Sequence, residues 1–205
     1  MSKPMICSKM KKLTVVLVAQ LLWLGAVAQC KIALDTIDEF DSTRLIASAP
    51  ISIGFLVPTG ALAEDLEGEI YAEEAKVIFS YANEKNIRSF FLTLGVLEHK
   101  FHMIQNDYTV YLKFAGGPII KVYNEPDDPE FDRDLIMWRY IHTCVIPLDI
   151  FHLMRMMPVE KIRIVYDDYK STIVLSEQQQ QALQQAVLCV AERLAEPLPE
   201  AVIKP

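Results

Sequence analysis

The chain has 205 residues, 52% of them hydrophobic, with 27 acidic side chains against 20 basic ones and a net charge of −7. That length and apolar fraction suffice to bury a core without help from metals. The acidic balance argues against partners with a phosphate backbone or an anionic lipid surface, so no nucleic acid is expected.

At the N-terminus, Lys3, Lys9, Lys11 and Lys12 precede an uncharged stretch from Leu13 to Val27, which runs into Ala26-Val27-Ala28. A basic start, an apolar run and an A-x-A site together describe a secretory leader. The run is 15 residues long, shorter than the roughly 20 a spanning helix needs, so no retained membrane span is expected. Cleavage is placed after Ala28, with Ala26 and Ala28 as the small residues read at the site and Gln29 as the new N-terminus. Lipid attachment at Cys30 would need a small residue just before it, and Gln29 is bulky, so a lipid anchor is the weaker reading. Residues 1–28 are thus a signal peptide, and residues 29–205 form one globular domain with no linker and a net charge of −11.

Three cysteines survive that cut. An oxidising compartment allows one bridge. Cys189 falls beside the apolar stripe of a helix and reads as a small buried hydrophobe, which leaves Cys30 with Cys144 as the expected disulfide and three unbonded thiols as the rival.

Along the domain, residues 31–40 alternate with the period of a half-buried strand. A second extended run covers residues 44–57, interrupted at Pro50, and a Gly, Ala, Glu and Asp-rich loop follows over 58–68. Runs 76–81 and 87–97 are crowded with β-branched and aromatic residues and form a hairpin. A second hairpin joins 108–114 to 118–123 through Ala115-Gly116-Gly117, where glycine supplies the positive φ of a tight turn. Residues 136–146 make another strand. Pro147 opens a short helix over 148–156, and a third hairpin joins 161–166 to 170–175. Ser176 and Gln179 then make a capping box. Behind it Leu183, Ala186, Val187, Val190 and Leu194 recur at helical spacing, with glutamines on the wet side. Hairpin-linked strands followed by a late helix predict an α+β fold, an antiparallel sheet with the C-terminal amphipathic helix packed on one face. A β-sandwich capped by that helix is the alternative.

Sites of chemistry are harder to find. His99 and His102 stand at a strand end or in a loop, where their spacing puts them on opposite faces and makes a zinc site a poor reading. Asp128, Glu130, Asp132 and Asp134 alternate like the start of a calcium loop, but Arg133 and Arg139 stand where a turn glycine and a bidentate glutamate are needed, so the segment reads as a solvated acidic loop. His142 and Cys144 share a strand face, yet no third group to orient the imidazole can be named, so Cys144 reads as structural. Tyr108, Tyr111, Phe114, Tyr123, Trp138 and Tyr140 could line a groove but more simply pack the sheet. No P-loop, dinucleotide fingerprint or nucleophile elbow occurs. Hence no catalytic residue, metal or cofactor is assigned. The expectation is an exported, non-catalytic domain, periplasmic or extracellular and of a bacterial envelope type, that binds a protein or ligand partner. An extracytoplasmic hydrolase with a site assembled only on folding is the alternative.

Overall fold

A computed structural model describes residues 31–60, 71–85 and 87–196. Ala26, Ala28, Gln29 and Cys30 therefore lie outside the described residues. The elements in chain order are β1 (Ile32–Ile37), β2 (Arg44–Ser48), β3 (Ile51–Pro58), β4 (Tyr71–Glu84), β5 (Ile87–Glu98), β6 (Asp107–Phe114), β7 (Ile119–Pro126), β8 (Glu130–Asp132), β9 (Met137–Ile146), α1 (Leu148–Met156), β10 (Val159–Val165), β11 (Lys170–Val174) and α2 (Glu177–Ala195).

All the strands join one antiparallel sheet in the order β1-β2-β4-β5-β9-β7-β6-β10-β11, with β3 alongside the first half of β4 and β8 beside β9. The α+β expectation is met, and the two-sheet sandwich is not what forms. The sheet curls until β11 comes against β3, and α2 lies across the enclosed face over β2, β3, β4 and β10.

Alternation explains which side faces in. Val77, Phe79 and Tyr81 of β4 stand opposite Leu94, Leu92 and Phe90 of β5, and all six are buried. Val110, Leu112 and Phe114 of β6 continue the core to Ile162 and Ile164 of β10. From the helices come Phe151 and Met154 of α1 and Leu183, Val187 and Val190 of α2. The capping box forms as read: Ser176 Oγ accepts from the Gln179 amide at 3.3 Å, and Gln179 Oε1 accepts from the Ser176 amide at 2.9 Å. Gln179 Nε2 also donates to the Gly54 carbonyl at 2.9 Å, which ties the start of α2 to β3. Gly54 has φ of +77°, and a Cβ there would stand 2.1 Å from Glu74 Oε2, so only glycine fits.

Three corrections concern the sheet and its cysteines. First, β1 does not keep one face inward. A register shift between Ile32 and Leu34 turns Leu34 outward, 43% exposed, and Asp35 inward, since a one-residue slip exchanges the faces. Asp35 is held there by Arg44 at 3.3 Å and Arg193 at 2.6 Å, linking β1, β2 and the end of α2. Burial alone would raise its carboxyl, but the two guanidinium groups outweigh it and keep it below the usual value. Second, the acidic segment after Pro126 contains β8, whose Asp132 pairs with Arg139.

Third, the expected Cys30–Cys144 bridge is not made. Cys144 is a free thiol, 0% exposed at the middle of the sheet interior, with its Sγ turned to Asn124. Cys189 is the disulfide-bonded cysteine, and its partner lies outside the described residues. The reason is position: Cys189 borders a hollow that Lys31, Ala49 and Ile51 also line, at the start of the domain, whereas Cys144 is walled in by its neighbouring strands. Cys189→Ser is expected to lower stability by about 2–4 kcal/mol. Urea unfolding with and without dithiothreitol checks this: the reductant should lower the wild-type midpoint and leave the variant's unchanged.

Candidate functional site

Two places gather side chains with chemical potential: a polar chain inside the sheet, and a cleft between the sheet's end and the helices.

The first is built on β9, whose inward residues include Tyr140, His142 and Cys144. Asn124 of β7 lies opposite Cys144, and both His142 and Asn124 are 0% exposed. Asn124 Nδ2 donates to His142 Nδ1 at 3.2 Å and is also 2.9 Å from Thr109 Oγ1. The proton of the neutral ring is then assigned to Nε2, which faces the Tyr166 hydroxyl at 3.5 Å. Cys144 Sγ donates to Asn124 Oδ1 at 3.9 Å. His142 and Cys144 do share a face, but both address Asn124. Burial lowers the His142 pKa to about 4 and raises that of the Cys144 thiol to about 12. A neutral imidazole and an un-ionised thiol suit a structural network, because the thiolate is the nucleophilic form.

Nearer the surface, His102 is buried rather than an exposed loop residue, while His99 is exposed. Its Nδ1 meets Asp168 Oδ1 at 2.9 Å, its ring stacks on Tyr169 at 4.8 Å between centroids, and its backbone amide donates to the Tyr140 hydroxyl at 2.6 Å. The 99–102 pair therefore does not act together. The partner comes from the β10–β11 turn, and no spacing signal in the sequence could have joined residues so far apart. Glu98 ends β5 nearby. Burial raises its carboxyl, hydrogen bonding from Ser171 opposes that, and its Oε1 has no partner among the described residues.

The cleft lies at the other end of the β4–β5 hairpin and has a volume of about 860 Å³. Its floor is apolar: Phe90 and Phe151 stack with centroids 4.0 Å apart, with Ile146, Leu148 and Leu194 around them. The polar part begins as a cross-strand row, Arg44 opposite Asn83 and Asn83 opposite Arg88. Arg155 and His152 of α1 complete the rim. Arg44 is committed to Asp35 and to the Arg193 carbonyl. Arg88 and Arg155 have no carboxylate partner among the described residues, and Arg155 lies 5.7 Å over the Phe151 ring. Asn83 Oδ1 is buried and has no partner among the described residues. Among the described residues no Asp or Glu lines this cleft, although acids outnumber bases in the chain. The sequence reading missed it because its arginines are scattered over three elements.

The aromatic residues divide as packing predicts. Phe114 and Tyr140 are core; Tyr108 and Tyr123 form an edge-on pair at 5.7 Å; Tyr111 lies under Lys121; and Trp138 sits between Phe101 and Phe131. Among the described residues no group of three or more His, Cys, Asp or Glu is placed to hold a metal ion, and no helix is long and apolar enough to cross a membrane.

Fold and cleft together define an α+β protein with a curled antiparallel sheet and a basic, apolar-floored cleft beside its helices. No family model matches the chain, nor does any curated protein or solved structure.

Proposed function

We propose that the protein is an exported, non-catalytic binding domain whose ligand sits in the cleft between the β4–β5 hairpin and helices α1 and α2. The observation that carries this reading is the reversal of charge. Among the described residues, this acidic chain places no carboxylate in the lining of one concave site, and Arg88 and Arg155 there have no described counter-ion. Convergent polar groups over an apolar floor are the usual makings of a small-ligand site. Export rests on the leader read in residues 1–28, and native material should begin at Gln29 when its N-terminus is sequenced.

The binding reading is tested with 8-anilinonaphthalene-1-sulfonate, a fluorescent anion with an apolar body. It should bind the folded protein saturably at one site, and the Arg88→Gln/Arg155→Gln protein should bind it at least tenfold more weakly. Unsaturable binding, or equal binding by both proteins, would remove the cleft from consideration.

The second reading, an extracytoplasmic hydrolase, is favoured by the His102–Asp168 pair, whose geometry suits an oriented imidazole. It ranks lower because burial keeps His142 and Cys144 neutral, and because His152 has no carboxylate beside it in the cleft among the described residues. Ester or peptide hydrolysis abolished by His102→Ala would reverse the order.

A further inference from the structure

We infer that the natural occupant of the cleft is a single-tailed amphiphile, an aliphatic chain ending in one anionic headgroup. This inference rests on the cleft being the binding site. It goes further by naming the chemistry on each side of the ligand.

The headgroup follows from the rim. Arg88 leaves the start of β5 and Arg155 the last turn of α1, and neither has a carboxylate partner among the described residues. A guanidinium presents a planar fork that matches the paired oxygens of a carboxylate or phosphate, which an ammonium group does not. A neutral ligand would leave these two charges unanswered, and a cationic one would be repelled. The row also contains Asn83, whose buried Oδ1 has no donor among the described residues. A water held by the headgroup can supply that hydrogen, since bridging waters are ordinary members of polar sites.

The tail follows from the floor. Beside the rim the described walls include Phe90, Phe151, Ile146 and Leu194, and α2 adds Ala191 and Ala195, so the lining is largely apolar away from the rim, with Tyr81 and Ser89 as its other polar members. Val145 and Leu148 remain 37% and 59% exposed at its mouth, apolar surface that an aliphatic chain would cover. The stacked Phe79, Phe90 and Phe151 rings keep the floor rigid, so little ordering cost falls on binding. The volume of about 860 Å³ lies within the range of about 300–1,000 Å³ typical of small-molecule sites. An acidic peptide is disfavoured because its backbone amides would have to be desolvated against aromatic and aliphatic walls that offer them no partners.

The experiment displaces bound 8-anilinonaphthalene-1-sulfonate with four ten-carbon compounds below their micelle concentrations: decanoate, decyl phosphate, decanol and decyltrimethylammonium. An Asp/Glu-rich decapeptide is the fifth competitor. The two anions should compete at least tenfold better than decanol, the cation worst of all, and the anions' advantage should shrink to within about twofold in Arg88→Gln/Arg155→Gln. The order of decanoate and decyl phosphate decides which source of the anion fits. Equal competition by decanol and decanoate overturns the headgroup assignment. Displacement by the peptide alone overturns the tail, and both results leave the cleft as the binding site. Failure of the fluorophore itself to bind at one site sinks the cleft reading beneath them. Circular dichroism and an unchanged melting temperature establish that the double variant is folded.

Discussion

Phe151→Ala is expected to lower the unfolding free energy by about 3–5 kcal/mol and to abolish binding of the anionic fluorophore. Phe151 is 4% exposed and stacks at 4.0 Å on Phe90 and at 5.9 Å on Phe79, with the Arg155 guanidinium on its outer side. Truncation removes a buried ring, leaves a void among side chains from two strands and a helix, and takes away the surface on which Arg155 rests. Urea unfolding measures the first effect and fluorescence titration the second. Phe151→Leu keeps most of the buried apolar area and should recover more than half of the lost stability. Arg155→Gln supplies the contrast. It is exposed, so its stability should stay within about 1 kcal/mol of the wild type, while its affinity for anions falls. If Phe151→Ala unfolds at the wild-type midpoint, the ring is not the keystone between core and cleft.

Acid should destabilise the protein through His142. In the unfolded chain the imidazole takes up a proton as pH falls through 6.5, but in the folded sheet only near about 4. The folded pKa is the lower one, so stability is full above about 6.5 and is lost as pH drops toward about 4, by about 3 kcal/mol in all. His142→Gln keeps a hydrogen-bond acceptor for Asn124 and cannot titrate. Its stability should therefore lack this decline, and the difference between the two proteins across the window isolates the imidazole. The neighbouring charged groups do not mimic the effect. Glu98, raised by burial, has the opposite sign, because a carboxyl that prefers to stay protonated stabilises the fold at low pH and loses that contribution as pH rises. Asp168 is the exposed partner of His102 and is present in both proteins. Parallel pH profiles for wild type and variant would show that the imidazole is not held neutral by the fold.

Local pattern makes several elements readable in the sequence. The capping box of Ser176 and Gln179, the Pro147 start of α1, and the hairpin turning at Gly116, which takes φ of +63°, follow from residues within a few positions of one another. The faces of β4 and β5 follow from strict alternation. What alternation could not convey was the bulge in β1, because one inserted residue reverses inside and outside without changing the composition of the strand. Nor could it order the sheet, since β9 pairs with β5 and β7 through contacts between segments distant in sequence. The cysteines show the same limit. Cys144 and Cys189 look equally apolar in their local settings, and only the folded sheet shows that one is walled in and the other borders the start of the domain. The cleft was least legible of all. Arg44, Arg88 and Arg155 belong to β2, β5 and α1, and each taken alone reads as an ordinary solvated charge.

The placement of β9 also governs the order in which the molecule can be put together. Residues 31–132 supply the strands on both flanks, yet the segment that laces β5 to β7 comes only afterwards. Until residues 137–146 emerge, the β4–β5 hairpin ends in an unsatisfied row of amides and carbonyls, and the β6–β7 hairpin has nothing to dock on. Such margins recruit strands from neighbouring copies. A chain with so many distant pairings should also close slowly. The hazardous interval for this protein is therefore the time between synthesis of its fifth strand and arrival of its ninth, and anything that holds the chain extended through that interval protects its yield.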